Sequence, residues 1–187
     1  FELRVDKQKW EQGRQTRAPP RQQTPDKEAE IARFVNEALN LGVIEECQAT
    51  NWSQVHLTKK PNGKWRFCLD YRALNAVTEG MGWPIPNIQQ TLNRIGTHKP
   101  KYFAVLDLTQ GYYQAPISAQ SRDFTAFRTS FGLYRWKRLP MGLKGAPSYF
   151  QQQMQSTVLG DLLHNICEIY LDDIIIYGTN EEEFIRN

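Results

Sequence analysis

Residues Ile166-Cys167-Glu168-Ile169-Tyr170-Leu171-Asp172-Asp173-Ile174-Ile175-Ile176-Tyr177 decide how the chain is read. Two apolar runs of strand character flank a pair of adjacent acids, the pattern of a tight hairpin turning at Asp172-Asp173. Aspartate is common in turns for purely local reasons, but Leu171 and Ile174 set this turn close to a core. Adjacent carboxylates near a core repel each other and lose hydration, a cost that a cation offsets. A third acid, Asp107, ends another strand-like run, Tyr102-Phe103-Ala104-Val105-Leu106, which reads as buried. Hard oxygen ligands with no His and no paired Cys suit Mg²⁺ or Mn²⁺ rather than zinc. Mg²⁺ takes few protein carboxylates and fills its shell with phosphate oxygens, which points to two-metal phosphoryl transfer.

Composition fits a folded chain of one domain or two small lobes. Of 187 residues, 40% are apolar, and five Trp, eight Tyr and nine Phe supply area to bury, which argues against disorder. The most apolar stretch, Ile166 to Tyr177, holds acids and falls far short of the roughly 20 residues a membrane span needs. The opening residues do not read as a signal segment. Cys47, Cys68 and Cys167 are too few for a disulfide framework or a zinc knuckle, so a reducing compartment is expected. Asn51-Trp52-Ser53 is then an accidental glycosylation sequon. The net charge of +3 hides a gradient: residues 1–24 carry +3, residues 25–160 carry +6 and residues 161–187 carry −6. A basic body favours a polyanion, and the acidic end would repel it unless metal ions lay between.

Residues 1–23 read as an extended arm, with no apolar period. A helix is expected from Thr24 as N-cap and Pro25, with Ile31, Phe34, Val35, Ala38 and Leu39 inward and Gly42 as its stop. Runs 55–60 and 64–69 form a hairpin about Pro61-Asn62-Gly63, with five Lys/Arg and one Asp in residues 59–72. A helix over 85–95 should bury Ile85, Ile88, Leu92 and Ile95. Strands are expected around Gly132. A helix from near Pro147 should stack Phe150, Met154 and Val158 and close at Gly160, with Gln151-Gln152-Gln153 facing water.

Four ordered stretches resemble the reverse transcriptases of gypsy-type LTR retrotransposons. Tyr170-Leu171-Asp172-Asp173 is similar to the Y-x-D-D box. Asp107-Leu-Thr-Gln-Gly-Tyr112-Tyr-Gln is similar to the first catalytic motif. Leu139-Pro-Met-Gly142-Leu-Lys-Gly-Ala-Pro147-Ser-Tyr-Phe150 and Lys64-Trp65-Arg66-Phe-Cys-Leu-Asp70-Tyr-Arg72-Ala-Leu-Asn75 resemble two more, and the likeness runs from about Thr24 to Tyr177. Four boxes in order are far more specific than any one of them.

The resemblance implies an α+β, right-hand polymerase fold: fingers over 1–80 (arm 1–23) and 115–145, palm over 81–114 and 146–187. The palm would be a split βαβ, ferredoxin-like antiparallel sheet with helices on one face, ending before any thumb. It implies an RNA- and DNA-directed DNA polymerase in which Asp107, Asp172 and Asp173 hold two Mg²⁺ ions, with Mn²⁺ as a substitute. Lys59 and Arg66 would grip the dNTP triphosphate, and the backbone N–H groups of Gln110 and Gly111 would cradle phosphate. Tyr112 would lie beneath the sugar and exclude a 2′-hydroxyl. Met141 and Gly142 would abut the base and template; retroviral relatives commonly carry Gln in place of Met141. Arg72 and Tyr170 would touch template and primer. Expected partners are template, primer, dNTPs and the rest of a polyprotein (thumb, RNase H, integrase), in cytoplasmic virus-like particles with no membrane. The competing reading is a catalytically weak or silent fragment that only binds nucleic acid.

Overall fold

A computed structural model describes residues 1–187, save for the side chains of Arg14 and Gln15. The chain forms two units that are each discontinuous in sequence: Phe1–Gly80 with Tyr112–Lys144, and Met81–Gly111 with Gly145–Asn187.

The first unit is built on a five-stranded sheet of order β1-β6-β5-β2-β3. Its strands are β1 (Ile44–Glu46), β2 (Ser53–Lys59), β3 (Trp65–Asp70), β5 (Phe127–Arg128) and β6 (Leu133–Trp136). All pairings are antiparallel except β2 with β5. Helix α2 (Pro25–Asn40) starts after Thr24 and buries Ile31, Val35 and Ala38. It docks through Phe34, whose ring stacks on Phe67 at 4.0 Å, and Phe127 lies edge-on to Phe67 at 5.6 Å. Each such pair adds about 0.5–1.5 kcal/mol beyond the area it buries. Gly63, at φ +78°, turns the β2–β3 hairpin where a side chain would be strained.

The opening residues are not an extended arm. Asp6 accepts from the Lys9 N–H and caps α1 (Lys7–Gln12), which buries Trp10. Six residues are too few for a helical period to show in sequence. Asn51, 2% exposed, donates to Trp10 O and Thr16 Oγ1 and ties this helix down, so its amide is not open to glycosylation.

The second unit holds a three-stranded antiparallel sheet of order β4-β8-β7: β4 (Tyr102–Asp107), β7 (Cys167–Tyr170) and β8 (Asp173–Gly178). Strand β4 is not buried as its sequence suggests. It lies at the sheet edge, with Phe103 56% and Val105 64% exposed. Helix α4 runs Ile88–Thr97 behind an Asn87 cap, three residues later than expected. Pro84 and Pro86 hold the chain before it extended. Its buried residues are Thr91 and Ile95, while Ile85, Ile88 and Leu92 stay exposed.

Helix α6 (Ala146–Gln153) buries Phe150 and continues as a π-helical segment, Met154–Leu159. The wider π turn shifts the facing side chains, so Met154 is buried but Val158 is exposed. Gln151 does not face water: it is fully buried on the inner side of α6 beside Phe150. A closing helix, α7 (Glu181–Arg186), is capped by Asn180. No described helix is long and apolar enough to cross a membrane.

Candidate active site

Asp107 is the last residue of β4 and Asp173 the first of β8, and the two are directly paired in the antiparallel register. Paired residues project to the same face with Cβ atoms roughly 4.5–5.5 Å apart. Tyr170 pairs with Asp173 from the other side and shares that face. The hairpin turn is Leu171-Asp172 rather than Asp172-Asp173, because β8 already begins at Asp173. Leu171 stands at φ +58°, in the first turn position where tight hairpins normally place Gly. A leucine there costs about 1–2 kcal/mol, so something must hold it.

That holding group is the Gln151 side chain. Its Oε1 accepts from the Leu171 N–H at 2.7 Å, and its Nε2 donates to Ile169 O at 3.4 Å. Sequence reading missed it because a Gln triplet looks solvated; the missed signal was its position next to Phe150 on the helical inner face.

Among the other acids of this unit, Glu168 is matched internally. Glu168, 1% exposed, receives both Arg94 Nε and Nη2 at 3.0 Å, and His164 Nδ1 lies 2.8 Å away. Burial pushes its carboxyl up, but these bonds outweigh that and hold it below the usual range. Asp107, Asp172 and Asp173, by contrast, have no Lys or Arg ion pair among the described residues. Nor do three acidic, imidazole or thiol groups among the described residues already close into a metal cage. An open pair of carboxylates still fits Mg²⁺, which is held by one or two carboxylates plus phosphates and water. The donor set therefore fits the divalent ions that this kind of chemistry needs.

Gln110 precedes the one-turn helix α5 (Gly111–Gln114) at φ +51°. The Gly111 N–H donates to Leu108 O at 3.1 Å. Of the two amides expected to cradle phosphate, Gly111's is thus already engaged. Gly111 has a packing reason to be glycine: a Cβ would meet Leu108 Cβ and Phe150 Cζ at 3.0 Å.

In the first unit, Lys59 pairs with Trp65 and Thr58 with Arg66. Alternation then sends Lys59 and Arg66 to opposite faces of the hairpin. Lys59 and Lys27 both lie over the Trp65 ring, 5.3 Å from its centroid. Arg72 is oriented by Asp70, with Nε and Nη2 at 2.8 and 2.7 Å, and Arg21 shares that carboxylate. The bond from Arg72 holds Asp70 well below the usual carboxylate range. Tyr112 is half-buried, whereas Tyr113 packs against Trp136 and burial pushes its hydroxyl up to about 12. Met141 is 66% exposed beside Gly142 at φ +95°. Asn75, on the short helix α3 (Arg72–Ala76), clamps this loop, donating to Gly142 O and accepting from Lys144 N–H, both at 2.8 Å. Its loop-clamping role was not read from the sequence, although it closes the Lys64–Asn75 motif.

The site is thus an Asp-tipped strand paired to a Tyr-x-Asp-Asp hairpin on an α+β frame. The chain is a member of the reverse transcriptase (RNA-dependent DNA polymerase) family, whose model matches residues 58–187. Among its relatives is the retrovirus-related Pol polyprotein from transposon 297 of Drosophila melanogaster, 38% identical over 165 residues, or 86% of this chain and 15% of that protein. The Pol polyprotein from transposon gypsy of the same fly is 37% identical over 126 residues, covering 67% of this chain and 12% of that protein. The chain thus spans about one seventh or less of these relatives. A foamy viral protease-reverse transcriptase solved with an RNA/DNA hybrid matches with a TM-score of 0.75 and 25% identity, covering 94% of this chain and 23% of that one. Reverse transcriptases generally use divalent metal ions.

Proposed function

We propose that this chain carries the nucleotidyl-transfer centre of a retrotransposon reverse transcriptase, adding dNTPs to a primer 3′-hydroxyl on RNA or DNA templates. The observation that carries this reading is the Asp107–Asp173 pair, with Asp172 in the adjoining turn and no Lys or Arg ion pair to any of the three among the described residues. Two divalent ions, Mg²⁺ by preference, would supply an acidified primer hydroxyl and charge neutralisation at the attacked α-phosphate. Asp107 and Asp172 would ligate them directly, and Asp173 would ligate or add field from the neighbouring rung.

The rest of the chain binds and orients. Lys59 and Arg66 would grip the triphosphate, Lys as a point charge and Arg as a fork. The Gln110 amide adds a donor at the end of β4, with Gly111 serving close packing. Tyr112 bars a 2′-hydroxyl, Met141 and Gly142 meet the base pair, and Arg72 and Tyr170 meet template and primer. In these roles the first unit acts as fingers and the second as palm. Partners would be template, primer, dNTPs and the remaining polyprotein, within cytoplasmic particles of the parent element. The relative solved with an RNA/DNA hybrid supports the nucleic-acid partner.

Primer extension with Mg²⁺ tests the reading: Asp172→Asn should abolish it in this chain or in the longer protein containing it. Unchanged extension would remove Asp172 from the site. Mn²⁺ uptake measured with and without dNTP separates a competent centre from a silent fragment, which would show no nucleotide-dependent binding.

A further inference from the structure

We propose that Gln151 is a positioning residue that sets the geometry of the acidic turn. The proposal rests on the reading of Asp107, Asp172 and Asp173 as a metal site, and deepens it.

Strand β7 is an edge strand, since the sheet order is β4-β8-β7. In an antiparallel hairpin, alternate residues turn their N–H and C=O toward the partner strand and the others turn them outward. Tyr170 pairs with Asp173 across the turn, which leaves Ile169 O and Leu171 N–H on the outer edge. The Gln151 amide takes both of them at once. One planar group with an acceptor and a donor thus does what the peptide of a further strand would do, at the last rung before the turn.

Side-chain chemistry explains why this residue is Gln. An ionised Glu accepts from Leu171 but cannot donate to Ile169, Met offers neither bond, and Asn is one methylene short. A fully buried primary amide is tolerated in a helix core only when its polar atoms are bonded. Both of its partners flank Tyr170 and the second is Leu171, whose left-handed backbone directs the chain into Asp172. Where Leu171 sits therefore decides where the Asp172 carboxylate points relative to the Asp107–Asp173 pair. Gln151 is not a catalytic residue: it touches neither metal nor nucleotide in this account and works through the Leu171 peptide.

The test compares wild type, Gln151→Met, Asp172→Asn and the double variant Gln151→Met/Leu171→Asn in this chain. Three readouts are taken: Mn²⁺ affinity by EPR in the presence of dTTP, amide exchange at Leu171 by ¹⁵N NMR, and the thermal midpoint. Gln151→Met should weaken Mn²⁺ binding about tenfold and speed Leu171 exchange at least as much, because an outward amide loses its acceptor. Asn adopts positive φ readily, so the double variant should recover Mn²⁺ affinity. A role in core packing alone predicts the opposite: a lowered thermal midpoint with wild-type affinity and no recovery by Leu171→Asn. That result overturns the proposal. Recovery of affinity without recovery of the thermal midpoint supports it even where Gln151→Met is unstable. If wild type takes up no Mn²⁺, or Asp172→Asn leaves uptake unchanged, the metal-site reading is what fails. Leu171 exchange then decides alone, with protection lost in Gln151→Met upholding the turn-holding role and protection kept removing it.

Discussion

Asp107 and Asp173 oppose each other on adjacent antiparallel strands, two like charges on one rung with no basic side chain paired to either among the described residues. Such a pair destabilises a metal-free sheet by a few tenths to about 1 kcal/mol. Asp107→Asn should therefore raise the urea midpoint of the chain in EDTA while eliminating primer extension. Added Mn²⁺ should stabilise wild type and not the variant, since only a ligand bound to the native state shifts the equilibrium. A variant that lost both stability and activity would point to a structural role for the carboxylate.

Glu168 lies at the other extreme, almost fully buried and bonded by Arg94 and His164. Arg94→Ala should cost about 1–3 kcal/mol in chemical denaturation at pH 7, because it strips a partner from a buried carboxylate while Arg94 itself is 40% exposed and His164 remains. In wild type the Glu168 carboxyl is held below its ordinary value, so its contribution is complete above about pH 4.3 and fades as pH falls through the lowered native value. Without Arg94, burial is opposed by His164 alone, and that carboxyl rises from its wild-type position. The penalty of the variant should thus shrink on acidification, and a pH-independent penalty would mean Arg94 acts through packing alone.

Two glycines separate contact from backbone conformation. Gly111→Ala drives a methyl to 3.0 Å from Phe150 and Leu108 and should cost about 1–3 kcal/mol, partly rescued by Phe150→Leu. Gly142→Ala has room, with Tyr71 at 3.6 Å, but φ +95° is unfavourable for any L side chain. It should cost about 1–2 kcal/mol, with no rescue from trimming its neighbour. Denaturant midpoints of the single and double variants check both.

Tyr112→Ala should raise rNTP incorporation relative to dNTP by about 10- to 100-fold, the range available to one apolar contact in a pocket. The ratio of kcat/KM for matched nucleotides measures it. Tyr113→Ala, which removes a ring packed on Trp136, should lower stability without changing sugar preference.

Much of this architecture was legible because chemistry and pattern coincided. The β2–β3 hairpin announced itself through Pro61-Asn62-Gly63, α2 through Thr24-Pro25, and the acidic centre through an Asp pair between apolar runs. The misreadings have physical causes. Strand β4 has a core-like composition yet lies on an edge, and α4 exposes the side its period marks as internal. Val158 was displaced by a π turn that no 3.6-residue template anticipates. Gln151 was assigned to solvent because residue type outweighed its place beside Phe150, and α1 was too short to carry a period. The turn assignment slipped by one residue because a left-handed leucine leaves no mark in sequence.

Both units are assembled from two separated stretches, so the chain crosses from one to the other three times. During synthesis, strands β1 to β3 emerge well before β5 and β6, the partners that complete their sheet. Likewise β4 (Tyr102–Asp107) must await β8 (Asp173–Gly178), its only neighbour in the sheet. Loop closure on that scale slows folding and leaves early strand edges open to wrong pairing. No single cut yields either unit alone, and a break at the Gly111–Tyr112 junction would divide both.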